Sequence, residues 1–183
     1  MREYLNKLPK GILNLIYAAT DISCYRNFPA YLVGGFVRDL LLGVKNFDLD
    51  IVVEGNGIRF AQDLSRHLKA KLVKHGRFGT ATIFNGDLKI DVASARKEFY
   101  PQPAHLPQVI RGRLKDDLFR RDFTINAMAM DISAENFGTL IDYFRGKSDL
   151  RAGNIRVLHN FSFRDDPTRI LRAVRFEQRY NFK

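Results

Sequence analysis

The sequence predicts an α+β domain in which helices flank a mixed sheet. Three features carry that expectation: short β-branched runs bounded by glycine turns, helical stretches with one apolar face between them, and a hairpin signal at Asn85-Gly86-Asp87. With 183 residues and 45% apolar composition, the chain can build a substantial core.

The elements follow in order. Residues 10 to 20 read as a short amphipathic helix, and Tyr31 to Gly35 as a strand running into a glycine turn. A helix is expected from Phe36 to Leu42, then a turn over Gly43 to Phe47, then a strand at Asp48 to Val53 that stops at Glu54-Gly-Asn-Gly57. Ile58 to Lys69 sets Ile58, Ala61, Leu64 and Leu68 on one face, the spacing of a surface helix packed on a sheet. Strands are expected at Lys71 to Val73, Thr80 to Phe84 and Leu88 to Ala93, the last two joined by the hairpin. From Glu98 to Gly112 no apolar period is visible, and Pro101, Pro103 and Pro107 point to a long loop. Helix resumes at Asp117 to Met130, a strand is expected at Thr139 to Asp142, and Asp166 to Tyr180 reads as a final amphipathic helix. A stop at Lys183 straight after that helix, with no polar tail or cap, reads as a piece of a longer protein. No internal repeat or low-complexity segment is visible.

Thirty Lys and Arg against 20 Asp and Glu leave a formal charge of +10, which suits a polyanionic partner; the alternative is a chain merely kept soluble by charge. One cysteine, Cys24, excludes an internal disulfide, and His67, His75, His105 and His159 lack zinc-ligand spacing, so a reducing, cytoplasmic setting is expected. The first twenty residues form neither a signal peptide nor a membrane span, because charges interrupt every apolar stretch.

The chemistry is carried by carboxylates. Asp48 and Asp50 lie two apart on a strand, so both side chains emerge on one face while Leu49 points into the other layer. That pair suits hard cations, and phosphoryl transfer needs Mg²⁺ to neutralise a triphosphate and activate a hydroxyl. Asp91, flanked by apolar strand residues, is the natural third acidic group; its alternative is a partly exposed edge position. Upstream, Gly34-Gly35 between a strand and a helix lets backbone approach a ligand and turns helix amides toward phosphate oxygens, with Arg38 adding positive charge on the first turn. A Gly-Gly pair alone is usually a turn. The combination with Asp-x-Asp 13 residues after Gly35 is more specific, because it sets a phosphate cradle beside a metal pair.

Here the chain resembles a known family. Leu32-Val-Gly-Gly-Phe-Val-Arg-Asp-Leu-Leu-Leu-Gly43 with Asp48-Leu-Asp50 is similar to the head signature of the tRNA nucleotidyltransferase / poly(A) polymerase family. Arg120-Arg-Asp-Phe-Thr-Ile-Asn-Ala-Met-Ala129 resembles its second motif. Asp165-Asp-Pro-Thr-Arg-Ile-Leu-Arg-Ala-Val-Arg-Phe176 resembles its nucleotide-selecting helix, with Asp165 where the family often has Glu. The resemblance implies a polymerase-beta-like nucleotidyltransferase palm over residues 1 to 150 and the start of an all-helical neck at 151 to 183. It implies that Asp48 and Asp50 bind two catalytic Mg²⁺ ions, with Asp91 as a third catalytic carboxylate. By the same resemblance Gly34, Gly35 and Arg38 contact the nucleotide, and Arg121 and Asn126 lie near its triphosphate or sugar.

Asp166 and Arg169 stand three apart at the start of the last helix, hence on one face. A carboxylate accepts from an exocyclic amine and a guanidinium donates to the adjacent ring nitrogen, a pattern shared by adenine and cytosine and reversed in guanine and uracil. For each residue alone the alternatives are an N-cap and a surface ion pair. Arg172 and Arg175 continue at three-residue steps and are candidates to face the triphosphate, while Ile170, Leu171 and Val174 read as core.

The expected activity is transfer of AMP, CMP or both, from ATP or CTP, to the 3′ end of tRNA. Ile51 to Gly57, Gly138 to Phe144 and Arg156 to His159 resemble most the bacterial enzymes that add the terminal A, with CCA addition next and poly(A) addition third. Two other classes stay open: a module that binds RNA or nucleotide without catalysis, and a nucleotidyltransferase acting on a small molecule or protein. The resemblance also implies that the loop from Glu98 to Gly112 is a mobile element resetting the site between additions.

Overall fold

A computed structural model describes residues 2–45, 47–76 and 79–183, apart from the side chains of Arg2 and Glu3. The turn expected over Gly43 to Phe47 is described except at Asn46, which lies outside the described residues. The chain divides into two compact units, one of Met1–Ala95 with Ala129–Ile141, the other of Arg96–Met128 with Asp142–Lys183.

The first unit is built on a seven-stranded sheet. In chain order it holds β1 (Ala30–Val33), β2 (Leu49–Val53), β3 (Lys71–His75), β4 (Thr80–Asn85), β5 (Leu88–Ser94), β8 (Ala129–Asp131) and β9 (Leu140–Ile141). Their spatial order is β3-β4-β5-β2-β1-β8-β9. Only β2 and β5 run parallel; the other neighbours are antiparallel, so the sheet is mixed, as expected. Strand alternation explains the placement of the central pair: Leu49, Ile51 and Val53 are at most 2% exposed, as are Ile90 and Val92 on the neighbouring strand.

Helices α1 (Arg2–Leu5), α2 (Lys10–Arg26), α3 (Gly35–Leu42) and α4 (Gly57–His67) belong to this unit. Helix α2 runs six residues past the expected end at Thr20, since its buried face continues through Ile22 and Ser23 until Asn27 turns left-handed at φ 52°. Asn56 caps α4 by accepting the Arg59 N–H at 3.0 Å, and the helix buries Phe60, Ala61 and Leu64. Its first residue must be small, because a Cβ on Gly57 would stand 2.6 Å from the Ser94 backbone nitrogen. Asp63, buried on α4, clasps Arg26 and Arg66, and hydrogen bonding to Arg26 holds its carboxyl below the ordinary range against the opposing effect of burial.

The second unit corrects two expectations. The stretch from Glu98 to Gly112 is not one loop: β6 (Arg96–Phe99) and β7 (Gln108–Arg111) pair antiparallel as a hairpin, and only residues 100 to 107 remain irregular. The three prolines bar regular structure only between the strands, and β7 is exposed along its length, which erases the apolar period. Nor is Asp117 to Met130 one helix. Helix α5 (Leu114–Phe119) ends after six residues, a 3₁₀ turn covers Thr124–Asn126, and Ala129 already belongs to β8. Past the break the Asp122 carboxylate accepts the N–H of Phe123 at 2.8 Å, with Phe123 extended at φ −133°.

Helices α6 (Gly146–Ala152), α7 (Ser162–Asp165) and α8 (Thr168–Tyr180) complete the second unit. Leu114, Leu118, Phe123, Ile125, Leu150 and Phe176 form its core, with Phe123 and Phe176 meeting edge to face at 5.8 Å. The final helix starts at Thr168, leaving Asp166 extended before it. Ile170, Leu171 and Val174 are 51%, 74% and 51% exposed, so the expectation that they are core is wrong; the buried residues of α8 are Arg169 and Phe176. Among the described residues no helix is long and apolar enough to cross a membrane, and Cys24 is a free, exposed thiol.

Candidate functional site

In the first unit the carboxylates gather where β2 and β5 run side by side. Asp48 stands exposed just before β2, Asp50 is half-buried on it, and the parallel register sets Asp50 opposite Asp91. Partners in register share a face, so the sheet brings Asp50 and Asp91 together although they are 41 residues apart in the chain. Asp91 is engaged by its own sheet: its Oδ1 accepts the Thr82 hydroxyl at 2.6 Å and its Oδ2 accepts the Lys89 ammonium at 2.6 Å. The hydrogen bond to Asp91, followed by the attraction of Asp91, Asp48 and Asp50, holds the Lys89 ammonium above its usual range against the opposing effect of burial.

All three carboxylates therefore act on one cation. The Asp48 and Asp50 carboxylates are hard oxygen donors, the ligand type that Mg²⁺ takes. Among the described residues no cluster of three His, Cys, Asp or Glu is drawn together closely enough to hold a metal ion.

The glycine turn is built as its residues require. Gly34 has φ 66° and ψ −134°, a conformation that a side chain would strain, and α3 begins at the next residue, Gly35. Arg38, on the first turn of α3, is only 4% exposed, and its Nε and Nη2 are held by the two oxygens of fully buried Asp39 at 2.8 and 3.0 Å. The guanidinium thus sits fixed behind the turn.

The second unit holds most of the remaining candidates in polar clusters. Asp122 Oδ1 accepts the side-chain amide of Asn126 at 2.8 Å and its Oδ2 accepts Arg172 Nε at 2.7 Å. Asp117, fully buried, accepts Arg120 Nε and Nη2 at 2.9 and 2.7 Å and Arg121 Nη2 at 2.9 Å. Burial pushes the Asp117 carboxyl up, but Arg121 and Arg120 outweigh it and hold the group below the ordinary carboxylate range. Arg120 also reaches Glu98 at 3.2 Å.

Asp166 and Arg169 do meet, at 3.7 Å, although Asp166 lies outside the helix. Asp166 Oδ1 accepts both the backbone N–H and the hydroxyl of Thr168, at 3.0 and 2.6 Å, so the capping role is real. Its Oδ2 remains available beside Arg169. Arg169 itself is buried: its Nη1 donates to the Ser162 hydroxyl at 2.6 Å and its Nη2 to the Arg120 carbonyl at 2.9 Å. Arg175 is exposed on the same helix. Asp165, Asp166 and Thr168 line a pocket of about 520 Å³ with Tyr100, His105 and Leu106. Burial, reinforced by Glu98, raises the Tyr100 hydroxyl above its usual range.

Four residues of these clusters escape a reading of the chain alone. Asp117 precedes Arg120 and Arg121 by three and four residues, a helix-pair spacing that was available as a signal. Asp122 stands inside the second motif, where its three hydrogen bonds do not show. Lys89 and Thr82 reach Asp91 only through strand geometry.

Comparison with known proteins gives a consistent answer. Residues 30–156 match the model of the poly(A) polymerase head domain. The A-adding tRNA nucleotidyltransferase of Geobacter sulfurreducens is 51% identical over 96% of this chain and 20% of its own length. The apo form II structure of a CCA-adding enzyme superposes with a TM-score of 0.94 and 52% identity, covering 100% of this chain and 43% of that one. A CCA-adding enzyme of Thermotoga maritima, complexed with tRNA, superposes with a TM-score of 0.88 and 51% identity over 100% of this chain and 41% of its own. The chain thus spans between 20% and 43% of the length of these relatives.

Proposed function

We propose, from the premise that this chain belongs to the poly(A) polymerase head domain family, that it is the catalytic head of a template-independent nucleotidyltransferase acting on the 3′ end of tRNA. In the reaction the RNA 3′-oxygen forms a bond to the α-phosphorus of ATP or CTP, the bond to the β-phosphate breaks, and pyrophosphate leaves. The observation that carries the proposal is the register of Asp50 opposite Asp91, with Asp48 two residues before Asp50, in a chain whose head matches that family.

Asp48 and Asp50 would hold Mg²⁺, which supplies charge neutralisation of the triphosphate and activation of the attacking hydroxyl. Asp91, hydrogen-bonded to Thr82 and Lys89, is the third catalytic carboxylate of this edge. Gly34 and Gly35 let backbone amides approach the nucleotide, and Arg38 adds a fixed charge behind them. In the second unit Arg121, Arg172 and Arg175 serve the phosphates and Asn126 the sugar, while Asp166 Oδ2 accepts the exocyclic amine of adenine or cytosine and Arg169 supplies the ring-nitrogen contact. Residues 151 to 183 open the helical neck, and a cytoplasmic setting goes with this reading.

Terminal A addition is the preferred activity, as in the Geobacter relative; CCA addition is the second reading, favoured by the equal likeness to the CCA-adding structures. Incubating the intact protein with Mg²⁺, labelled ATP or CTP, and tRNAs ending before CCA, after C and after CC separates them. A on the CC-ended tRNA alone supports A addition; C followed by A on the shortest supports CCA addition. A long A tract points to poly(A) synthesis. No incorporation on any RNA favours a non-catalytic binding module.

A further inference from the structure

We infer that Asp117 is a positioning residue that fixes the guanidinium of Arg121 for an anionic phosphate oxygen. The inference rests on the proposal that Arg121 serves the nucleotide. Three observations carry it. Asp117 is fully buried, so it touches no ligand itself, yet its two oxygens accept three hydrogen bonds from two consecutive arginines. Those bonds take Arg121 by Nη2 alone and leave its Nε buried with no partner among the described residues. The unmet Nε is out of solvent reach, but 16% of the Arg121 side chain is exposed, and an ordered cationic fork partly open to solvent is matched by an anionic oxygen.

The grip on Arg120 has a separate consequence. With Nε and Nη2 on Asp117 and Nη1 on Glu98, the Arg120 side chain is held at both ends, and its backbone carbonyl accepts Nη2 of Arg169 at 2.9 Å. Glu98 still holds Arg120 when Asp117 is altered, so the effect on nucleotide binding runs through Arg121. Asp117→Asn keeps the shape but puts an N–H where an oxygen accepted, so a donor faces a donor and one arginine loses its hold.

The test is a double-mutant cycle on the equilibrium Kd for ATP in the intact protein: wild type, Asp117→Asn, Arg121→Ala and the pair, with a thermal melt of each. Each single substitution is expected to weaken ATP binding on the order of ten-fold. The pair is expected to bind no more than about two-fold worse than Arg121→Ala, because Asp117 acts through Arg121. Losses that multiply, or a lowered melting temperature with unchanged Kd in Asp117→Asn, overturn the inference. Wild-type affinity in Arg121→Ala removes the nucleotide role of Arg121 and the inference with it. Asp117→Glu, which keeps the charge, is measured in parallel; if neither Asp117 variant folds, the residue is structural and the positioning role is overturned.

Discussion

Replacing Asp122 by alanine removes one buried carboxylate and, with it, the partners of three donors: the Phe123 N–H, the Asn126 amide and Arg172 Nε. The first two donors lie in the interior, where a donor abandoned by its partner costs about 1–3 kcal/mol. The Arg172 side chain is 48% exposed, so its ion pair adds well under about 1 kcal/mol after solvent screening. The expected loss is about 2–6 kcal/mol in urea unfolding, dominated by the backbone and amide donors rather than by the ion pair. Arg172→Ala, measured in the same way, should cost less than about 1 kcal/mol. A small effect of Asp122→Ala, or an equal effect of the two substitutions, refutes the reasoning, since it makes the salt bridge rather than the buried donors the source of stability.

Further outcomes follow from single sites. Gly34→Ala forces a side chain into φ 66°, ψ −134° and should cost on the order of 1–3 kcal/mol in urea unfolding; a neutral result contradicts the strained turn. Leu171, at 74% exposure, should tolerate alanine within about 0.5 kcal/mol in the 183-residue chain, whereas a core leucine would lose about 2–5. Asp63, whose carboxyl is held low by Arg26, contributes stability that is complete above the unfolded carboxylate value of about 3.9 and is lost as pH falls through the lower folded value. Asp63→Asn should therefore be less stable than wild type near neutrality, with the gap closing toward pH 2; a gap that persists in acid counts against the linkage.

The strands around the carboxylates were legible because burial and turns coincide there: Asp48 to Val53 sits between two glycine-bearing turns, and Asn85-Gly86-Asp87 joins β4 to β5 as read. What stayed hidden depends on partners far along the chain. Ala129 to Asp131 is a strand because it pairs with Tyr31 to Val33, nearly the whole sheet away in sequence, and no local window contains that pairing. The β6–β7 hairpin hid behind exposed faces on both strands. On α8, apolar Ile170, Leu171 and Val174 suggested the buried side, but the unit seats the helix on Phe176 and on the hydrogen bonds of Arg169. The same difference applies to the candidate site. Residue types and spacing pointed to Asp48, Asp50 and the Asp166/Arg169 pair; the attachments of Asp91 to Thr82 and Lys89, and of both motif arginines to Asp117, exist only in three dimensions.

In the proposed reaction the Asp48/Asp50 edge carries nucleotidyl transfer to RNA. It is tested most directly by following labelled AMP incorporation onto CC-ended tRNA as Mg²⁺ is titrated, with the intact protein and its Asp48→Ala/Asp50→Ala variant side by side. The expected result is Mg²⁺-dependent addition that falls by about a thousand-fold or more in the variant while its melting temperature stays close to wild type. Undiminished addition by the folded variant would contradict it.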